Sequence, residues 1–305
     1  MELRVLKYFL VVAREKNITR ASKMLHITQP TLSRQLHQLE EEFGTTLFHR
    51  GKHNITLTTA GLLLYRRASE FAELEEKTAQ EMQNSGESIA GPVSIGIGET
   101  VSLNDVAEVI KAFQKEYPDS YFDIYTGVAN DVKERMENGL LDFGVLLDPV
   151  DISEYNFIHL PNTDSWAVLM PENHPLAKKA EITAKDLAGV PLVMAQREAV
   201  RNMVENWFGK YKEELVTPIF MNLSAFNKSI LVRKGLGVAL GLDFGFAGPG
   251  LVSRPLTPRL INHCSIAWKK NRFQAPVVAR FAEFMADWFT EESELAKSDE
   301  DPAGQ

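Results

Sequence analysis

At Val93 the hydrophobic pattern of this chain changes period. Before it, apolar residues recur every three or four positions, as in Leu3, Leu6, Phe9, Leu10 and Ala13, and again in Leu32, Leu36, Leu39 and Phe43. Beyond it, short runs rich in Val, Ile and Leu alternate with helical stretches. The first pattern packs helix on helix, whereas the second layers helices against a sheet, so one core does not serve both. A chain of 305 residues has room for two such bodies.

The charge divides at nearly the same place. Residues 1–67 hold 11 Lys and Arg against 5 Glu, a net +6, and the remainder holds 22 basic against 36 acidic residues, a net −14. A basic head on an acidic body fits one module that meets phosphate and another that does not. No run of about 18 apolar residues offers a membrane span, and Tyr8–Ala13, flanked by charges, reads as the buried stripe of a helix rather than a leader. These features predict a cytoplasmic protein. The single cysteine, Cys264, rules out an intramolecular disulfide and lies in an alternating run, as a small core residue or, alternatively, a redox sensor.

In the head, the first helix ends near Asn17, and Thr19 is placed to cap a second helix through Ala21, Met24 and Leu25. After a turn at His26-Ile27, Thr28 can cap a third helix with Pro30 in its first turn and Gly44 at its end. Leu32, Leu36, Leu39 and Phe43 fall on one side of that helix and predict its core face. The opposite side carries Pro30, Ser33, Arg34 and His37 close to the helix N-terminus, the part that enters the major groove in a helix-turn-helix. Arg34 can donate two hydrogen bonds to a guanine edge, and Ser33 can reach a base or a phosphate. Gln29 can pair with an adenine edge or a phosphate, while Thr28 and the free N–H groups of the first turn suit a phosphate oxygen. A hairpin over Thr46–Thr59 brings Arg50, Lys52 and His53 to its tip as a wing.

A long helix is predicted from Ala60 to Gln83, with Ala60, Leu64, Ala68, Phe71, Leu74, Thr78 and Met82 on one stripe that needs a partner, either the body of the protein or a second copy. Gly91-Pro92 closes a short hinge-like linker. Strands are then predicted at Val93–Ile97, Tyr121–Tyr125, Phe143–Leu147, Trp166–Met170, Val190–Met194, Pro218–Met221, Val238–Leu242 and His263–Trp268, in mostly parallel sheets. Helices fall near Leu103–Tyr117, Asp131–Asn138, Arg197–Tyr211, Ala225–Lys234 and Val277–Glu291. Ligands gather beyond the C-terminal ends of strands in such lobes, which selects Glu99–Ser102, Gly127–Asn130, Leu147-Asp148, Gln196-Arg197 and Asn222–Phe226. Two hydroxyls at a helix start, Thr100 and Ser102, favour a polar or anionic ligand, with Arg197 or Lys228 as countercharge. Trp166 and Trp207 lie on apolar runs and are predicted to be core.

The run from Arg20 through Leu36, followed by Leu39-Glu40, Gly44, Leu47–Arg50 and Leu57–Gly61, resembles the head of the LysR-type transcriptional regulators. The likeness is dense over roughly the first 65 residues and continues more thinly to about residue 290, through His174–Ala177 and Val232–Val238. Arg20 and Thr31 stand where alanine is common in that family; Arg20 adds one phosphate contact, and both lie beside the reading helix. The resemblance implies an α+β multidomain protein: an N-terminal winged helix-turn-helix (1–59), a linker and dimerisation helix with a hinge (60–90), and an effector domain (91–295). The effector domain is two-lobed α/β, resembling type 2 periplasmic binding proteins, with lobe I at about 91–162 and 269–295 and lobe II at about 163–268. A polar tail, 296–305, is expected to be disordered. The implied DNA contacts are Arg20, Thr28, Gln29, Pro30, Thr31, Ser33, Arg34, His37, Arg50, Lys52 and His53. The resemblance implies effector contacts at Thr100, Ser102, Gly127, Gln196 and Phe226, to which the ends of the strands add Val128 and Arg197, and the implied dimer seam is Leu64, Ala68, Phe71, Leu74 and Thr78. Implied partners are double-stranded DNA carrying an interrupted palindrome, a small-molecule effector, further copies of the chain as a dimer of dimers, and RNA polymerase.

Catalysis has little support, because no HExxH, phosphate-binding glycine loop, CxxC pair or nucleophile elbow occurs. Neither a cofactor nor a metal is expected. A transport receptor would leave the basic head without a purpose, and an architectural DNA-bound protein would differ only in having a vestigial pocket.

Overall fold

A computed structural model describes residues 1–51, 54–83, 89–222, 224–270 and 274–299, with all of their side chains save those of Arg50 and 291–299. Two compact units result, Met1–Gln83 and Asn84–Gln305.

The first unit contains α1 (Leu3–Glu15), α2 (Ile18–Met24), α3 (Gln29–Phe43), a hairpin of β1 (Phe48–Arg50) and β2 (Ile55–Leu57), and α4 (Thr59–Gln83). Leu6, Phe9 and Leu10 from α1 meet Ala21, Leu32, Leu36 and Leu39 in one core that Phe48 and Ala68 close. The second helix starts two residues earlier than Thr19 would set it. Lys16 ends α1 in the left-handed conformation, which leaves Asn17 extended, and its side chain accepts from the Arg20 N–H at 3.0 Å. Phe43 also departs from its predicted place: it is 43% exposed, because α3 stops at Gly44 beyond the reach of the core. Two devices fix the wing. The buried Glu40 carboxylate accepts from the Leu47 N–H at 2.8 Å, and Gly61 lets α4 cross the Leu47 carbonyl, where a Cβ would stand 2.1 Å away. Lys52, His53 and the side chain of Arg50 lie outside the described residues.

In the second unit, β3 (Gly91–Ile97), α5 (Leu103–Glu116), β4 (Ser120–Thr126), α6 (Ala129–Glu137) and β5 (Phe143–Leu147) form one lobe, capped by α10 (Pro276–Asp299). The other lobe holds α7 (Ala184–Leu187), β7 (Pro191–Met194), α8 (Glu198–Phe208), β8 (Val216–Phe220), α9 (Ala225–Arg233), β9 (Val238–Leu242) and β10 (Leu251–Pro255). Two long strands, β6 (Tyr155–Pro171) and β11 (Ile261–Lys269), run through both, giving the strand order β4-β3-β5-β11-β6-β9-β7-β8 with β10 on β6.

The sheet is mixed rather than mostly parallel. Within each lobe, β3 pairs β4 and β5, and β7 pairs β8 and β9, in parallel; the crossing strands β6 and β11 are antiparallel to each other and to their other neighbours. Helical crossovers build the parallel pairs inside a lobe, and two direct passes of opposite sense connect the lobes. The passage back falls inside β11 rather than after residue 268, since Cys264 and Ile266 belong to the first lobe's core. Gly91 and Pro92, expected in a linker, open β3 and are buried. The C-terminal helix runs to Asp299, so residues 296–299 of the expected disordered tail are helical, and 300–305 lie outside the described residues.

Candidate nucleic-acid interface and effector cleft

α3 presents its first turn to solvent. Thr28 caps it, accepting from the Thr31 N–H at 3.4 Å, and the two threonine hydroxyls meet at 2.8 Å. Thr31 therefore extends the cap instead of projecting alone. Thr28, Gln29, Pro30, Arg34 and His37 are exposed, and Thr31 and Ser33 are half-buried. Arg34 has no partner among the described residues, so its guanidinium keeps its full set of donors for a ligand. His37 leans on Glu41 at 3.4 Å. Arg20 points elsewhere: it donates to the Glu15 carbonyl at 2.6 Å and pairs with the Glu15 carboxylate at 3.3 Å. It is tied to the end of α1 while its side chain stays 67% exposed.

The stripe on α4 divides. Ala60, Leu64 and Ala68 are turned onto the head's own core, with Ala68 1% exposed, which removes Ala68 from any seam between copies. Phe71 and Met82, farther along the same stripe, stand 44% and 68% exposed; Leu74 is half-buried and Thr78 exposed. The helix is longer than the core it packs on: its N-terminal half lies on that core, and α1 reaches on to Glu75 through Lys7 at 2.7 Å.

In the second unit a cleft opens between the lobes, with about 120 Å³ of water-accessible volume. Glu99, Thr100, Gly127 and Val128 come from the ends of β3 and β4, and Ala195, Arg197, Asn222 and Lys228 face them from the other lobe. Val145, Leu147, Val200 and Leu240 make much of the remaining wall apolar, and Trp166, expected only in the core, borders the cleft as well. A Cβ at Gly127 would lie 2.5 Å from the Tyr125 ring, so a larger residue at this mouth requires that ring to shift.

The polar groups are partly engaged. Arg197 reaches across the cleft to the carbonyls of Leu147, at 3.3 Å, and Pro149. Burial pulls its pKa below the usual guanidinium value, opposed by Asp148. Glu99 crosses the other way, accepting from the Ala225 N–H at the start of α9 at 2.8 Å. Lys228, one turn further along α9, makes no hydrogen bond or ion pair among the described residues; burial lowers its pKa, and Glu99 opposes that.

Three expected effector contacts lie elsewhere. Ser102 is fully buried, its hydroxyl bonded to the Asn162 carbonyl and to Asp164, both at 3.2 Å. Asp164, itself buried, also accepts from the Val101 N–H at 2.9 Å and the Thr100 hydroxyl at 2.5 Å. The protein thus supplies its own anion at the start of α5, the place where two hydroxyls had suggested a bound one. Gln196 is exposed and joined to Asn222, whose side-chain oxygen accepts the Gln196 N–H at 3.2 Å, outside the cleft wall. Phe226 is 71% exposed and faces a second hollow, which shares Lys228 with the cleft, because α9 holds its ring outside the cleft wall. Asp164 was missed by sequence reasoning, having no motif and sitting in a polar stretch of β6 that reads as loop.

Residues 3–62 match the model of the bacterial regulatory helix-turn-helix protein, lysR family, and residues 86–290 match that of the LysR substrate binding domain. The chain belongs to the LysR family of transcriptional regulators. It is 31% identical over 299 residues to the uncharacterised HTH-type transcriptional regulator YybE of Bacillus subtilis, covering 95% of this chain and 100% of that one. It is 30% identical over 292 residues to the Hca operon transcriptional activator HcaR of Escherichia coli, covering 90% and 94%. Among solved structures, CbnR, a LysR family transcriptional regulator, has the same fold, with a TM-score of 0.76 at 20% identity over 94% of this chain and 99% of CbnR. This LysR-type protein is a DNA-binding regulator with an effector-binding domain, not an enzyme. Among its described residues no helix is long and apolar enough to cross a membrane, and no three His, Cys, Asp or Glu side chains are gathered as a metal site.

Proposed function

We propose that this LysR-type regulator reads its operator with the first turn of α3 and responds to a small organic anion, of the carboxylate class, held between the two lobes. The observation that carries the anion is Lys228: an ammonium set in a largely apolar cleft with no acceptor of its own. A buried ammonium that makes no hydrogen bond is costly even with the Glu99 charge nearby, and a carboxylate that bonds it directly recovers the missing interaction. Arg197 and Asn222 add donors, and Thr100, Gly127 and Val128 form the opposite wall. Glu99 occupies the anionic place in the empty cleft, so the effector competes with it at Lys228 and at the Ala225 N–H. Releasing or tightening that cross-lobe contact changes lobe closure, a differential interaction of the kind allostery needs.

On this reading Gln29, Ser33 and Arg34 contact base edges, with Thr28 and the wing residues on phosphates. The chain acts in the cytoplasm as a dimer of dimers on an interrupted palindrome and passes its signal to RNA polymerase. Phe71 and Thr78, exposed on α4, suit the contact between copies.

A panel of short carboxylates and the matching amides, titrated calorimetrically into the full-length protein, tests the anion. Carboxylate binding should weaken by about tenfold or more in Lys228→Met, the loss of one charge-assisted hydrogen bond. Amides binding as well as acids, or acids indifferent to Lys228, would overturn it.

A further inference from the structure

A second hollow, of about 310 Å³, lies wholly within the second lobe. Its floor is the sheet, Ala167 and Leu169 of β6 and Ala239 of β9, and its sides are α9 and the 243–249 loop. Three phenylalanines, Phe226, Phe244 and Phe246, line it, and Phe226 and Phe246 are 71% and 80% exposed. Large aromatic rings held at a concave rim in water mark a place where an apolar surface is to be covered.

The charges here are lopsided. Arg233 closes one side, its guanidinium 3.0 Å from the Ser229 hydroxyl and lying over Gly248, where a Cβ would be only 3.6 Å away. That hydroxyl is the only acceptor it meets among the described residues, and no carboxylate pairs with it. The one acid in the wall, Asp243, is held on one side, its Oδ1 accepting from the Gly245 N–H at 3.1 Å and from the Ser253 hydroxyl of β10 at 3.2 Å. Lys228 borders this hollow as well as the cleft, from the back. An occupant must therefore be flat and apolar over most of its surface and carry a negative charge at one end.

We propose that this hollow is a second ligand site, taking an aromatic carboxylate whose ring lies among Phe226, Phe244 and Phe246 and whose carboxylate pairs with Arg233. The carboxylate forms the fork-shaped, two-bond pair that a guanidinium offers and an ammonium does not. Ring-on-ring contact adds to the apolar burial. Since α9 carries Lys228 into the cleft and Phe226 and Arg233 into the hollow, a ligand in one place biases the position of the wall shared with the other. The two cavities share Lys228, Gly241, Leu242 and Phe244, but Phe226 and Arg233 border the hollow and not the cleft.

The probe is 2-naphthoate, titrated by its own fluorescence into the full-length protein, with 2-naphthamide as the neutral control. Arg233→Gln and Phe226→Ala alter the hollow alone, and Val128→Trp obstructs the cleft alone. The expected result is a binding component that survives Val128→Trp, weakens at least tenfold in Arg233→Gln, and weakens again for 2-naphthamide. Phe226→Ala should reduce it without altering the preference for acid over amide. Loss of all binding in Val128→Trp, with Arg233→Gln indistinguishable from the parent, would place the probe in the cleft, overturning this site and leaving the cleft reading intact. No binding to any form would also overturn it.

Discussion

Arg34 and Cys264 sit at opposite ends of what a single residue can reveal. Arg34 stands exposed near the start of a capped helix and without a partner, so its energy is unspent until DNA arrives. Arg34→Ala should cost about 1–3 kcal/mol at the cognate operator and relax base preference at one position. Electrophoretic shifts over a randomised operator would check this; an equal loss on every sequence would make the residue a phosphate contact. Cys264 is buried against Thr100 and Asp164, and burial pushes its thiol up to about 12. Thiolate is the reactive form, so the native protein should resist iodoacetamide at pH 8 and react only on unfolding. Labelling at the same rate with and without denaturant would show an open thiol. Arg34 was legible because helical spacing alone settles which way it points. Ser102 and Phe226 were not: their contacts depend on Asp164, some sixty residues away, and on how α9 turns against the sheet.

Elements were readable where local chemistry decides them. α3 has a cap, a proline in its first turn and a left-handed glycine at its end, and these signals sit within its own residues. The first half of β6 has the opposite character. Residues 155–165 include Pro161 and a polar run at Asn162–Asp164, features that demote a strand reading, and they are held extended by β11 across a register shift at His263–Ser265. Only tertiary pairing makes that strand. α4 shows both cases in one helix, since its stripe is visible in sequence but the length of core available to cover it is not. Its two halves should therefore respond differently to charge. Phe71→Glu should leave the head folded and dissociate the assembly, while Ala68→Glu, placing a carboxylate in the core, should unfold the head. Sedimentation velocity paired with thermal unfolding separates them. An unchanged sedimentation profile for Phe71→Glu would remove this helix from the contact between copies.

For the whole molecule, the alternation of strands and helices foretold two α/β lobes, but not that two antiparallel strands join them, because the sense of a connection is settled only by what it pairs with. Those strands leave a cleft spanned by two polar contacts of opposite direction, Arg197 to the carbonyls of Leu147 and Pro149, and Glu99 to the start of α9. Glu99 also faces Lys228, whose pKa burial lowers. In the unfolded chain that lysine titrates at its ordinary value, so between the lowered folded value and the ordinary one the native protein binds fewer protons, and stability rises with pH there. An effector carboxylate restores a partner and draws the pKa back up, so binding in that window takes up a proton and weakens as pH rises. Glu99→Gln removes the resident competitor and its repulsion of the incoming anion, and should tighten carboxylate binding by roughly tenfold, a Coulombic effect of the size expected for partly screened charges. It also deepens the fall in the Lys228 pKa, moving the window of proton uptake to lower pH. Calorimetry in two buffers of different ionisation enthalpy reads both quantities at once: proton uptake that persists in Lys228→Met, or an affinity unmoved by Glu99→Gln, would mean that the effector is held by some other charge in the cleft.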